Sequence, residues 1–221
     1  MANIICKKVS ASSKDLLNCA NAIWKTGTEV IETAATPLAN QPSPYIKGVY
    51  DEEKIGAVKK VWLKTVHNAD SIFVYLEWES AKPNLKIEDI NVFADGIALL
   101  MPMKDIEKTP ITEMGTKDFP TNAWYWRPDF DEKPKNQVAH GLSTSQYTEK
   151  TSITSNSKWE NGKWHVVMGR PLKANRPGEE TVDLAPGGKI GFGFAVWEGA
   201  NGERGGVKAF SKEWRFLEIE A

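Results

Sequence analysis

Apolar and polar positions alternate with a period of two along the best-patterned segments of this chain, the signature of strands with one buried face. Val58 to Val66 alternates, His67 to Asp70 carries turn chemistry, and Ser71 to Trp78 alternates again with Ile72, Val74 and Leu76 on one face. Together they predict a hairpin. Ile90 to Met101 predicts a further strand with a bend at Asp95-Gly96, and Asn161-Gly162 sets a tight turn leading into a strand over His165 to Arg170. Ile190 to Trp197 is almost continuously apolar, as expected of a strand covered on both faces, and a last strand follows from Trp214 to Ile219.

Helix signals are weak: one short helix is expected over Ser13 to Ala22, capped by Ser13. Residues 103–122 and 127–152 are polar and contain proline, so they read as excursions over the surface or across a pocket. Between the last two strands lies a loop with four glycines, Gly199 to Gly206. The pattern predicts an all-β fold: one β-sandwich domain over residues 1–221, with long loops at one end and residues 1–14 loosely ordered.

Composition narrows the function more by exclusion than by assertion. Lysine and arginine number 28 against 29 acids, a net charge of -1, so a nucleic-acid or membrane-surface role has no electrostatic support. No apolar run approaches the ~20 residues that span a bilayer. The first residues lack the apolar core and cleavage site of a signal peptide. Nine tryptophans favour a cavity for a flat cofactor or a sugar. Cys6 and Cys19 have no metal or haem-attachment spacing and are expected as unpaired thiols.

No catalytic set emerges. His67 falls in a turn, His140 in a loop and His165 on a strand, without metal-site spacing. The pairs Asp129 with Asp131 and Glu179 with Glu180 read as solvated surface. The glycines of 199–206 follow a strand but open no helix, which argues against a dinucleotide site. Met114 stands in a polar loop ahead of Trp124, Tyr125 and Trp126, and Lys189 opens the apolar strand. From spacing alone Met114 is a gap-filler under its loop and Lys189 a solvated lysine.

Three segments change that. Asn91 to Gly96, Met114-Gly115 with Asn122 to Trp126, and Phe194 to Ser211 resemble the γ subunits of the ethylbenzene dehydrogenase family. These are the haem b subunits of molybdenum enzymes of the type II dimethyl-sulfoxide-reductase group, including dimethylsulfide dehydrogenase and the selenate and chlorate reductases. The resemblance runs over about residues 15 to 220. It implies a sandwich related to DOMON domains and family 9 carbohydrate-binding modules, holding one non-covalent haem b between a methionine and a lysine. Carried over by position, the axial pair is Met114 and Lys189, with Met101, Met103, Lys173 and Lys208 as alternatives. Trp124, Trp126, Phe192 and Trp197 are expected to wall the macrocycle.

The resemblance further implies a non-catalytic electron-transfer subunit, partnered by an iron–sulfur β subunit and a molybdopterin α subunit. It would serve an external carrier such as a cytochrome c, with molybdopterin and iron–sulfur clusters only in the partners. A periplasmic location, reached with a signal-bearing partner, is the matching expectation. The contrasting expectation is a carbohydrate-binding sandwich module without haem.

Overall fold

The computed structural model describes residues 3–130, 133–174 and 176–221. In chain order its strands are β1 (Ile4–Lys8), β2 (Glu29–Glu32), β3 (Ala34–Ala35), β4 (Lys60–His67), β5 (Ser71–Glu79), β6 (Gly96–Pro102) and β7 (Thr121–Trp126). There follow β8 (Lys135–Ala139), β9 (Gln146–Tyr147), β10 (Thr154–Glu160), β11 (Lys163–Pro171), β12 (Lys189–Trp197), β13 (Ala209–Phe210) and β14 (Arg215–Ile219). Among the described residues, α-helix is confined to α1 (Ser13–Leu17) and α2 (Pro44–Val49). The all-β expectation holds, and none of the described helices is long and apolar enough to cross a membrane.

One continuous ladder, β10-β11-β5-β4-β1-β14-β12-β6-β7-β8-β9, folds over so that two layers face each other. β1 makes the fold-over: Ile4 to Cys6 pair in parallel with β14, and Lys7 and Lys8 pair in parallel with β4. The back layer carries β2 on β4, and the front layer carries β13 on β12 and β3 on β13. Alternation decides what lies between the layers. From the back come Ile72, Val74, Leu76, Trp78, Val166 and Met168; from the front come Ile97, Leu99, Trp124, Trp126, Phe192 and Phe194.

Each layer's outer face is then a separate problem. Phe73, Tyr75 and Val167 on the back are covered by Leu16 and Trp24 from the α1 region. On the front, the outward set is small: Ala98, Ala123 and Ala195, with Leu100, Trp197 and Phe210 around them. Small residues leave a hollow that a larger set would fill.

Several expectations change. The N-terminal residues expected to be loose include the central strand β1, with Ile4 and Cys6 in the core; Met1 and Ala2 lie outside the described residues. Cys6 and Cys19 are both buried and free. The first helix ends at Leu17, and Ser12 caps it by accepting from the Asp15 N–H. The strand expected from Ile90 begins only at Gly96, and Ile90 is exposed. The supposed excursions contain the first two residues of β7 and all of β8, whose polar residues are buried because they satisfy one another. Asn122 donates to Asn136 at 2.7 Å and to the Gln137 carbonyl at 3.1 Å, and accepts from Thr181 at 2.7 Å.

Candidate functional site

The hollow on the front layer is a cavity of about 420 Å³, inside the usual range for a bound small molecule or cofactor. Its floor is a grid of paired strand positions. Ala195 on β12 pairs Ala98 on β6, which pairs Tyr125 on β7; Leu100 pairs Ala123, which pairs Gln137 on β8. Around it stand Gln41, Pro42, Ser43 and Ile46, then Met114, then Leu142, Ser143 and Ser145, and finally Gly205, Gly206 and Lys208.

Met114 is placed by an unusual backbone. It ends a short 3-10 turn, Ile111–Glu113, in the left-handed region at φ 58°, followed by Gly115 at φ 81°. Its N–H donates to the Ile111 carbonyl at 3.2 Å, and its own carbonyl accepts from Thr121 on β7 at 3.0 Å. A Cβ at Gly115 would meet the Phe119 carbonyl oxygen at 2.5 Å, so glycine is required beside the methionine.

Lys208 is held as firmly from the other side. Its N–H donates to Thr36 Oγ1 at 3.0 Å, and its carbonyl accepts from Thr36 N at 3.0 Å and Thr36 Oγ1 at 2.6 Å. The residue is 7% exposed, yet among the described residues its Nζ has only the Gly205 carbonyl, at 3.3 Å, and the Trp197 ring at 5.5 Å. Burial pushes this amine down to about 8. Lys208 and Met114 both line this cavity and a smaller hollow adjoining it, together with Leu100, Ala195 and Gly206. The cavity therefore brings a soft thioether and an easily deprotonated amine to one space.

Lys189 is not brought to this cavity. It lies six residues before Ala195, about 20 Å along an extended strand. Its Nζ pairs with Glu218 at 2.9 Å and lies over the Phe216 ring at 4.4 Å, half exposed. The intervening outer face is covered: a Cβ on Gly191 would meet Ile106 at 2.6 Å and one on Gly193 would meet Ile111 at 2.5 Å. Lys208, expected only as an alternative, lines the cavity together with Met114.

Strand parity corrects three of the four pocket aromatics. Trp124, Trp126 and Phe192 point into the sandwich core, where Trp126 packs against Trp78 and Trp164 and Trp124 lies under Arg170. Trp197 alone of the four lines the cavity, with Tyr125 beside it at 5.2 Å between ring centres. Met101 belongs to the core and Met103 packs on its margin, while Lys173 is exposed in a loop. Asp129 is ion-paired with Arg127; Asp131 lies outside the described residues.

Two residues escaped the sequence pattern. Tyr125 was hidden by its aromatic neighbours of opposite parity. Asp95, read as a bend, is fully buried and accepts from Asn84 N, Asn84 Nδ2, Gly199 N and Trp164 Nε1 at 2.8–2.9 Å. It fixes the start of the 199–206 loop to the floor strand β6. Among the described residues, no three His, Cys, Asp or Glu gather as a metal site.

The sequence matches the ethylbenzene dehydrogenase family over residues 21–151 and 141–209. The chain belongs to the ethylbenzene dehydrogenase family. It is 30% identical to the chlorate reductase γ subunit of Ideonella dechloratans over 96% of this chain and 84% of that one. It is 27% identical to a Haloferax mediterranei protein provisionally named respiratory nitrate reductase haem subunit, over 84% of this chain and 64% of that one. A third relative, the dimethylsulfide dehydrogenase γ subunit of Rhodovulum sulfidophilum, is 28% identical over 71% of this chain and 59% of its own length. Solved structures share the fold at far lower identity. A family 9 carbohydrate-binding module of Caldicellulosiruptor kristjanssonii, in complex with glucose, superposes with TM-score 0.53 at 9% identity, covering 100% of this chain and 96% of that one. A Bacteroides uniformis protein provisionally named carbohydrate-binding gives 0.57 at 10%, covering 98% of each. They establish the β-sandwich of this family member and nothing about its ligand.

Proposed function

We propose that this chain is the haem b electron-transfer γ subunit of a molybdenum oxidoreductase, with Met114 and Lys208 as the axial ligands of the haem iron. One observation carries the proposal: a methionine and a buried, nearly unpartnered lysine line one cavity floored by alanines. The cavity fits a flat group. Its floor is flat because β6, β7 and β12 present Ala98, Ala123 and Ala195 outward, and Tyr125 and Trp197 supply ring faces at one end. When bound, a haem would supply reversible one-electron chemistry.

What the residues do follows from their chemistry. A thioether is a neutral soft donor that favours ferrous iron and so raises the potential. A lysine ligates only as the free amine, so the metal competes with a proton, and burial has already shifted Lys208 toward the neutral form. Held by the Met114 and Lys208 side chains, a haem would supply electron transfer and would leave no place for substrate or oxygen. The apolar floor excludes water and strengthens this tuning.

Electrons would pass between an iron–sulfur β subunit and an external carrier such as a cytochrome c, while substrate is processed at a molybdopterin site in an α subunit. The relatives named as γ or haem subunits support that arrangement. A periplasmic location belongs to the same proposal. The test is an optical spectrum of the chain produced with haem available. One haem b per chain, with a Soret band and a sharp reduced α band that Met114→Ala alters, is the expected result. Folded protein free of any Soret absorbance would refute it.

A further inference from the structure

Residues 37–54 cross the front of the cavity between two buried anchors, Thr36 and Ile55, with almost no core of their own. α2 and the 3-10 turns at 38–40 and 52–54 contain no buried side chain; Tyr45 and Val49 are exposed and Ile46 faces the cavity. Such a segment has little apolar burial to keep it closed. Polar contacts to the glycine-rich loop 199–206 hold it instead. Gln41 Nε2 donates to the Gly206 carbonyl at 3.0 Å, and Asn201 Nδ2 donates to the Lys54 carbonyl at 2.6 Å. Glu203 accepts from the N–H groups of Gly56 and Ala57, both at 2.8 Å.

The middle of the segment is fixed by one pair. Tyr50 OH donates to the Gly202 carbonyl at 2.6 Å and accepts from Arg204 Nη1 at 2.7 Å. The Arg204 guanidinium lies over the Phe93 ring at 4.2 Å, which fixes its direction. The same loop reaches the opposite side of the site, because the Gly205 carbonyl accepts from both Lys208 Nζ and Trp197 Nε1. Gly206 is in tight contact with Gln41: an added Cβ would fall 2.0 Å from Gln41 Oε1. Loop, cover and amine thus form one connected unit.

From this geometry we infer that loop 199–206 is a latch, with Arg204 and Tyr50 as positioning residues that hold residues 41–50 closed across the cavity and thereby set how fast haem escapes. The inference rests on the haem proposal above. Neither residue touches the cavity group itself, so their removal should leave the spectrum alone and change retention. Burial raises the Tyr50 phenol above its ordinary value.

The test compares the haem-loaded chain with Tyr50→Phe, Arg204→Gln and, as a control on the same segment, Val49→Ser. Haem loss is followed by transfer to excess apomyoglobin, and amide exchange over 44–50 is followed in the haem-free protein. Expected are unchanged Soret and α bands, faster exchange over 44–50 with β4 and β5 unaffected, and haem loss about tenfold faster for either latch variant, the change for losing one net hydrogen bond. Val49→Ser should match the parent. Unchanged exchange overturns the latch, and faster exchange with unchanged haem loss overturns its control of the cavity. If Arg204→Gln does not fold, Tyr50→Phe decides alone. Should the parent bind no haem, the haem proposal fails while the exchange data still decide whether the latch exists.

Discussion

A lysine amine with one carbonyl partner is costly to bury, and Lys208 is such a residue. Its ordinary value of 10.5 falls to about 8 in the fold, so between those limits the unfolded chain binds more protons and stability rises with pH. The haem-free protein should therefore gain stability between pH 8 and 10.5 through this group. Lys208→Met should stabilise it at pH 7 by up to roughly 3 kcal/mol, with the advantage shrinking across that window. Urea unfolding at several pH values measures this, and parallel curves for the two proteins would rule it out. The sequence hid the lysine for a physical reason. Lys189 opens a long apolar strand and stands out, whereas Lys208 precedes a strand of two residues and owes its burial to Thr36, far away in the chain. Spacing alone made Met114 a gap-filler under its loop, and only the family resemblance singled it out; the structure places it in the cavity lining.

At the scale of elements, parity separates what packs from what binds. In β7 the large rings Trp124 and Trp126 fill the core, and the cavity receives Ala123 and Tyr125. A run of three aromatics does not reveal which phase faces inward. The back-layer hairpin was legible, since its turn chemistry and alternation agree. β1 and β8 were not, because their burial depends on partners distant in sequence. Two substitutions probe the front layer. Ala195→Leu should lower haem occupancy more than tenfold while changing haem-free stability by less than about 1.5 kcal/mol, because the added atoms enter a hollow. Haem titration alongside urea unfolding reads both quantities; full occupancy would show that the floor is not the site. Gly115→Ala should cost on the order of 2–3 kcal/mol from its left-handed backbone and the clash with Phe119, and should displace Met114. A cost below 0.5 kcal/mol in the same unfolding assay would mean this turn is not fixed as described.

For the whole molecule, β1 joins the layers and the two outer faces then diverge. The back face is covered by the α1 region over Phe73, Tyr75 and Val167, and the front face is left hollow under loops contributed by four separate stretches of chain. On the proposed function, a sandwich shared with sugar-binding modules would become a cofactor holder through small residues on one face and the Met114 and Lys208 side chains beside them. The most direct measurement is the axial-ligand spectrum of the haem-loaded chain in Lys208→Ala and Lys189→Ala, ferric and ferrous, recorded against the parent protein. Lys208→Ala should lose the parent signature and gain a water- or hydroxide-bound one, while Lys189→Ala should be indistinguishable from the parent. The opposite outcome, with Lys189→Ala altered and Lys208→Ala unchanged, would place the iron elsewhere and contradict the site.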